Sequence, residues 1–163
     1  MRFVTQNDIW SSACSGDLIR LRQHIKSRKK FQKSAAPLDP VCPWSGLSPL
    51  HFAAVNGQLE ACKMLLEHGS SIHIRSKTEG KTALHFACEN RREKVVRFLL
   101  NCYSSNAELE TDIHEYTPLH YACLADSKKI VTMFLGKYES VVEWIDVVQY
   151  SERIQDLLNK QHA

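Results

Sequence analysis

Three six-residue strings recur along this 163-residue chain at an almost constant interval. They are Ser48-Pro49-Leu50-His51-Phe52-Ala53, Thr82-Ala83-Leu84-His85-Phe86-Ala87 and Thr117-Pro118-Leu119-His120-Tyr121-Ala122, and their histidines lie 34 and 35 residues apart. A repeat of this length is one supersecondary unit, which cannot bury its apolar face alone and needs neighbours of the same kind. The chain is thereby restricted to a stack of similar units, each touching only the next. Stacks of this type work through extended surfaces, so partners are a better place to look for function than a catalytic pocket.

Each copy reads as the start of a helix. Ser48, Thr82 and Thr117 can accept hydrogen bonds from otherwise unpaired N–H groups, and Pro49 and Pro118 follow where a missing N–H costs nothing. Small residues come next: Ala53-Ala54, Ala87-Cys88 and Ala122-Cys123. Cys88 and Cys123 take the place of Ala54 and read as small packing residues, since nothing near them in sequence would lower a thiol pKa. Turn residues Gly57, Arg91 and Asp126 then lead into second helices. These carry Leu59, Ala61, Cys62, Met64, Leu65 and Leu66; Val95, Val96, Phe98, Leu99 and Leu100; and Ile130, Val131, Met133, Phe134 and Leu135. Faces this broad suit helices covered on both flanks.

The flanks differ. Residues 7–26 lack the hexapeptide but keep a helix start at Asn7-Asp8-Ile9-Trp10, the small pair Ser12-Ala13, a turn at Gly16 and the apolar set Leu18, Leu21 and Ile25. An atypical end unit of this kind is what a capping repeat requires. Residues 27–41, basic at Arg28, Lys29, Lys30 and Lys33 and then punctuated by prolines, read as an exposed loop. Repeats follow at about 42–74, 75–108 and 109–138, which makes residues 1–138 one repeat domain. In 139–163, Val141, Trp144, Ile145 and Val148 keep helical spacing, as do Ile154, Leu157 and Leu158, so this stretch is expected to be a C-terminal helical cap; a partner-binding segment is the alternative.

From about Asn7 to Tyr138 the chain resembles the ankyrin-repeat family. The resemblance implies an all-α repeat solenoid, an ankyrin stack of helix-turn-helix units with β-hairpin fingers between them. It further implies that His51, His85 and His120 hydrogen-bond the preceding Ser48, Thr82 and Thr117, and that partners bind the fingertips and the concave face of the first helices. Carried over by position, the fingertips are Pro43-Trp44-Ser45, Lys77-Thr78-Glu79 and Asp112-Ile113-His114. The concave positions are Val55 and Asn56, Glu89 and Asn90, then Leu124 and Ala125, with Tyr121 able to offer its hydroxyl. Arg91, Asp126 and Glu115 depart from the family pattern by standing where a turn glycine is usual, so the third finger is expected to be distorted. Trp44 has two readings, recognition or packing onto the 27–41 loop; Trp is enriched at binding hot spots.

Other chemistry has little support in the residues. The three repeat histidines lie a repeat thickness apart and cannot share a tetrahedral ion, and no ligand spacing, P-loop, paired acid motif or nucleophile elbow is present. No enzyme activity, cofactor, metal or small-molecule substrate is therefore expected. A net charge of +3 is too weak to imply nucleic acid, although the basic run at 28–33 leaves that alternative open. No apolar run approaches the ~20 residues of a membrane span, the N-terminus has no signal-peptide core, and the six cysteines form no C-x-x-C pair. The sequence expectation is a monomeric cytoplasmic or nuclear adaptor or inhibitor of a partner protein; inhibitors of transcription factors or kinases and ubiquitin-ligase substrate adaptors are its variants.

Overall fold

The computed structural model describes residues 8–31, 39–103 and 110–137. They form eight helices: α1 (Ile9–Ser15), α2 (Leu18–Phe31), α3 (Pro49–Asn56), α4 (Leu59–Glu67), α5 (Ala83–Glu89), α6 (Glu93–Cys102), α7 (Pro118–Leu124) and α8 (Lys128–Lys137). Consecutive helices pair within a unit. Across units α1, α3, α5 and α7 pack in series as one layer, and α2, α4, α6 and α8 as a second. The described residues form an all-helical repeat stack, with its principal contacts between nearest units.

The core runs as columns through the stack. Leu65, Leu99 and Phe134 occupy one repeat position and are fully buried, as are Leu50 and Leu84 in the layer of first helices. Burying a side chain of this size contributes about 1.5–3 kcal/mol. Cys88 is fully buried and Cys123 partly so, and burial pushes the Cys123 thiol up to about 11, which suits packing rather than reactivity.

The turns behave as their positions demand. Gly16 and Gly57 adopt left-handed φ of 75° and 73°, and Arg91 and Asp126, in the same role, are held at 56° and 51°. A side chain at such an angle meets a steric cost that glycine avoids. Arg91→Gly is accordingly expected to stabilise the fold by about 1 kcal/mol, raising the midpoint of thermal unfolding by a few degrees. A midpoint that stays level or falls would mean that the exposed Arg91 side chain makes contacts that offset the strain.

Two expectations change. α2 continues through Phe31, so Ser27 to Lys30 belong to a helix and not to an exposed loop. Arg and Lys are good helix formers, and no glycine or proline interrupts the chain before Pro37. At residues 39 and 40 the chain is fastened to the stack. The Trp10 indole N–H donates to the Pro40 carbonyl at 2.8 Å, and the Ser71 N–H to Asp39 Oδ2 at 2.7 Å. The second change concerns the fingers, which among the described residues form turns without strand ladders. Each closes on itself through a bond from Cys42 N–H to Leu47 O, Ser76 N–H to Lys81 O or Asp112 N–H to Tyr116 O. Each turn encloses only three or four residues between its closing pair, too few to extend into a ladder. The proposed cap at 139–163 lies outside the described residues.

Candidate protein-interaction face

The site begins with the histidine of each repeat. Ser48 N–H donates to His51 Nδ1 at 3.0 Å, Thr82 N–H to His85 Nδ1 at 3.1 Å and Thr117 N–H to His120 Nδ1 at 2.9 Å. An Nδ1 that accepts must carry its hydrogen on Nε2. In the first two repeats that hydrogen reaches across the stack, from His51 Nε2 to Ile74 O and from His85 Nε2 to Tyr116 O, both at 3.0 Å. The ring also meets the aromatic side chain of the following unit: His51 lies edge-on to Phe86 at 5.4 Å and His85 to Tyr121 at 5.9 Å between centroids. Burial pushes both His51 and His85 down to about 4, so they are neutral struts that set the spacing between units.

The fingers are joined side by side. Lys77 N–H donates to Gly46 O at 3.0 Å, and Ile113 N–H to Glu79 O at 3.1 Å. Glycine suits the contact points, where φ is left-handed at 67° and a Cβ would be crowded: on Gly46 it would stand 3.0 Å from Lys77 Cβ, and on Gly80 3.1 Å from Ile113 Cγ2. In the third finger Glu115 takes the left-handed position at φ 64°. Asp112 supports that turn from inside, its Oδ1 accepting from the His114 and Tyr116 N–H groups at 2.8 and 2.9 Å. The third finger is thus shorter than the second, but its turn is well formed.

Lys81 links finger to helix. Its ammonium is buried, 2.6 Å from Glu79 and 3.2 Å from Glu89 at the end of α5, and it lies over the Tyr121 ring at 4.3 Å from the centroid. Burial alone would lower its pKa; the two carboxylates outweigh burial and raise it. The Tyr121 hydroxyl donates to Asp112 Oδ2 at 2.6 Å. Burial by itself would push the Asp112 carboxyl up, but the bonds from Tyr121, Tyr116 and His114 together hold it below the usual carboxylate range. Fingers two and three and helices α5 and α7 are therefore one continuous, charge-matched surface.

The expected partner residues divide on this surface. Trp44 and Ile113 on the fingertips and Leu124 at the end of α7 are 61%, 62% and 68% exposed. Asn56, Thr78, Glu89 and His114 are exposed, and Ser45, Val55, Glu79 and Asn90 are half-buried. Tyr121 differs from expectation: it is buried, and its hydroxyl is spent on Asp112 instead of facing outward. Asn56 and Asn90 also have internal work, each amide donating to a carbonyl of its own helix, Phe52 O and Phe86 O, at 2.9 Å.

Sequence reasoning passed over Lys81, Asp112 as a turn anchor, and Tyr116, which is exposed on the third finger. Lys81 had a readable signal, a lone charge at the position that holds Leu47 and Tyr116 in the other copies. Among the described residues no group of three or more His, Cys, Asp or Glu side chains could hold a metal, and no helix is long and apolar enough to cross a membrane.

A stack of helix pairs with laterally bonded fingers, and with a Ser–His or Thr–His capping box at the heads of α3, α5 and α7, defines a helical repeat protein. The model for ankyrin repeats in three copies matches residues 13–111 and 50–143, and the chain belongs to the ankyrin-repeat family. It is similar to protein phosphatase 1 regulatory subunit 27 of Mus musculus, with 38% identity over 86 residues, 53% of this chain and 51% of that one. It is also similar to the NF-kappa-B inhibitor cactus of Drosophila melanogaster, 30% identical over 92 residues covering 55% and 18% of the two chains. A probable E3 ubiquitin-protein ligase of Oryza sativa subsp. japonica, XBOS33, is 34% identical over 91 residues, covering 55% and 16%. The match spans about half the length of the phosphatase subunit and under a fifth of the other two. Ankyrin repeats mark the chain as a protein-interaction module.

Proposed function

We propose that this chain is a non-catalytic adaptor or inhibitor that meets one partner protein with its fingertips and the adjoining ends of its first helices. The observation that carries this reading is the placement of large apolar side chains in water. Trp44, Ile113, Tyr116 and Leu124 are all exposed on the fingers or on α7, next to the polar Thr78, Glu79, Glu89 and His114. Exposed apolar groups rimmed by polar ones mark interaction surfaces, and tryptophan is prominent among residues that dominate binding energy. Two of the relatives are named as a regulatory subunit and an inhibitor, which favours a regulator that occupies another protein's surface. The ligase relative supports substrate adaptor as the second reading. A monomer working in the cytoplasm or nucleus belongs to the same proposal.

Affinity capture with quantitative mass spectrometry tests it. Trp44→Ala and Ile113→Ala are each expected to weaken the specific partner by tenfold or more, a loss of at least about 1.4 kcal/mol, with unchanged thermal unfolding. Ile19→Ala is the control: this residue is 75% exposed but lies on α2 in the other layer, and partner capture should persist. If capture survives both fingertip changes, the partner site is elsewhere.

A further inference from the structure

The net charge of +3 is the difference between two unlike parts of the molecule. The second helices α2, α4, α6 and α8 carry 12 Lys and Arg residues against three Glu, whereas the rest of the chain carries nine against 15 Asp and Glu. α2 is the extreme case. It holds six cations, Arg20, Arg22, Lys26, Arg28, Lys29 and Lys30, and no carboxylate. Arg20 is engaged by Asp17 at 3.3 Å. On the adjoining α4, Lys63 holds Glu60 at 2.7 Å, which leaves Glu67 as that helix's other carboxylate.

Leu21 and Ile25 bury the inner face of α2, and Ile19, Arg22, Gln23 and Lys26 stand exposed on the outer one. Lys29 and Lys30 fall three and four residues beyond Lys26, in the same register. From Ile19 to Lys30 this stripe runs about 17 Å. At its head Ile19, 75% exposed, is the most exposed large apolar side chain among the described residues. We propose that this face of α2 holds the protein against an anionic bilayer surface. Its cations meet the phosphate and carboxylate groups of acidic lipids, and Ile19 enters the interfacial region. Cations around one apolar side chain suit a surface that offers both charge and an apolar layer beneath it. A nucleic acid offers charge and stacking faces instead, but the exposed aromatic side chains among the described residues, Trp44 and Tyr116, lie on the fingers. Since α2 lies in the layer of second helices and the fingers adjoin the first, a bilayer on α2 leaves the fingertips open to a protein partner.

Co-sedimentation of the full chain with vesicles tests this. Wild type is expected to bind phosphatidylcholine vesicles that contain ~30% phosphatidylserine, to be released as salt rises, and to ignore pure phosphatidylcholine. An Arg22→Glu, Lys26→Glu double variant should lose binding by about tenfold or more, and Ile19→Ser by several-fold, with unchanged thermal unfolding. Arg91→Glu, a change of the same sign on the other layer, should bind as wild type does. If the double variant unfolds early, Arg22→Gln with Lys26→Gln takes its place with the same expected direction. No binding to the anionic vesicles, or binding that survives the α2 changes, would overturn the proposal. So would a ~20-base-pair DNA duplex that binds as tightly as the vesicles at equal salt and does not need Ile19, since the face would then serve polyanions.

Discussion

Acidification from pH 7.5 to pH 4.5 is expected to remove about 5 kcal/mol of folding stability, most of it through His51 and His85. Both rings are fully buried and neutral, each with Nδ1 accepting a backbone N–H and Nε2 donating to a distant backbone carbonyl, Ile74 O or Tyr116 O. Protonation would turn Nδ1 into a donor aimed at another donor. Burial holds both groups down at about 4 in the fold, whereas an unfolded histidine takes its proton near ~6.5. Because the unfolded chain binds more protons across that window, the histidines' contribution is complete above ~6.5 and is lost as pH falls towards 4, at about 1.4 kcal/mol per unit for each ring. His120, which burial also pushes down, adds in the same direction. Urea unfolding at a series of pH values measures the slope. In a His51→Gln, His85→Gln double variant, where glutamine can serve the same capping box, the slope between pH 6.5 and 4.5 should largely vanish. A slope that survives the double change would assign the acid sensitivity to other groups.

Phe134→Ala is expected to cost about 3–5 kcal/mol, and the loss should be felt at one end of the molecule. Phe134 is the largest of the fully buried side chains and stands at the head of the column that contains Leu65 and Leu99. Removing its ring leaves a cavity between α8 and α6, the helices that pack there. Since stability in a repeat stack is a sum of unit and interface contributions, the terminal unit should loosen first. Hydrogen exchange should show α7 and α8 opening well before α1 and α3. Uniform loss of protection along the chain would show that the stack unfolds as a single cooperative unit instead.

The residues that were easiest to read are those whose partners are close in sequence. Ser48, Thr82 and Thr117 cap the helices they precede, which the residue types show, and their bonds to the histidines three residues on are those that the family resemblance implies. The left-handed turns at Arg91, Asp126 and Glu115 were visible for the same reason, as non-glycine residues at positions that the period marks as turns. The onward bonds of His51 and His85 were not legible. Their acceptors are the carbonyls of Ile74 and Tyr116, 23 and 31 residues away, and a backbone carbonyl has no side-chain signature. Tyr121 misled for a related reason. A tyrosine where the other copies have phenylalanine suggests an outward hydroxyl, but Asp112 nine residues earlier is folded against it. The helical course of Ser27 to Lys30 was hidden by charge: a run of lysine and arginine reads as a solvated loop, yet the same side chains favour helix when no breaker follows.

The candidate site shows the same division. The family resemblance, carried over by repeat position, assigns Trp44, Ile113 and Leu124 to fingertips and helix ends. Whether such a position is wet or covered depends on what the neighbouring units put against it. Glu79 and Glu89 come together only because Lys81 is buried between finger and helix, and Tyr121 is withdrawn from the surface only because the third finger closes over it. The sequence by itself determined the repeat, its caps and the apolar positions of its helices, since these follow from the period and from contacts within a turn or two of helix. Tertiary structure alone decided which side chains are left exposed for a partner, since exposure is set by contacts between units that lie more than thirty residues apart.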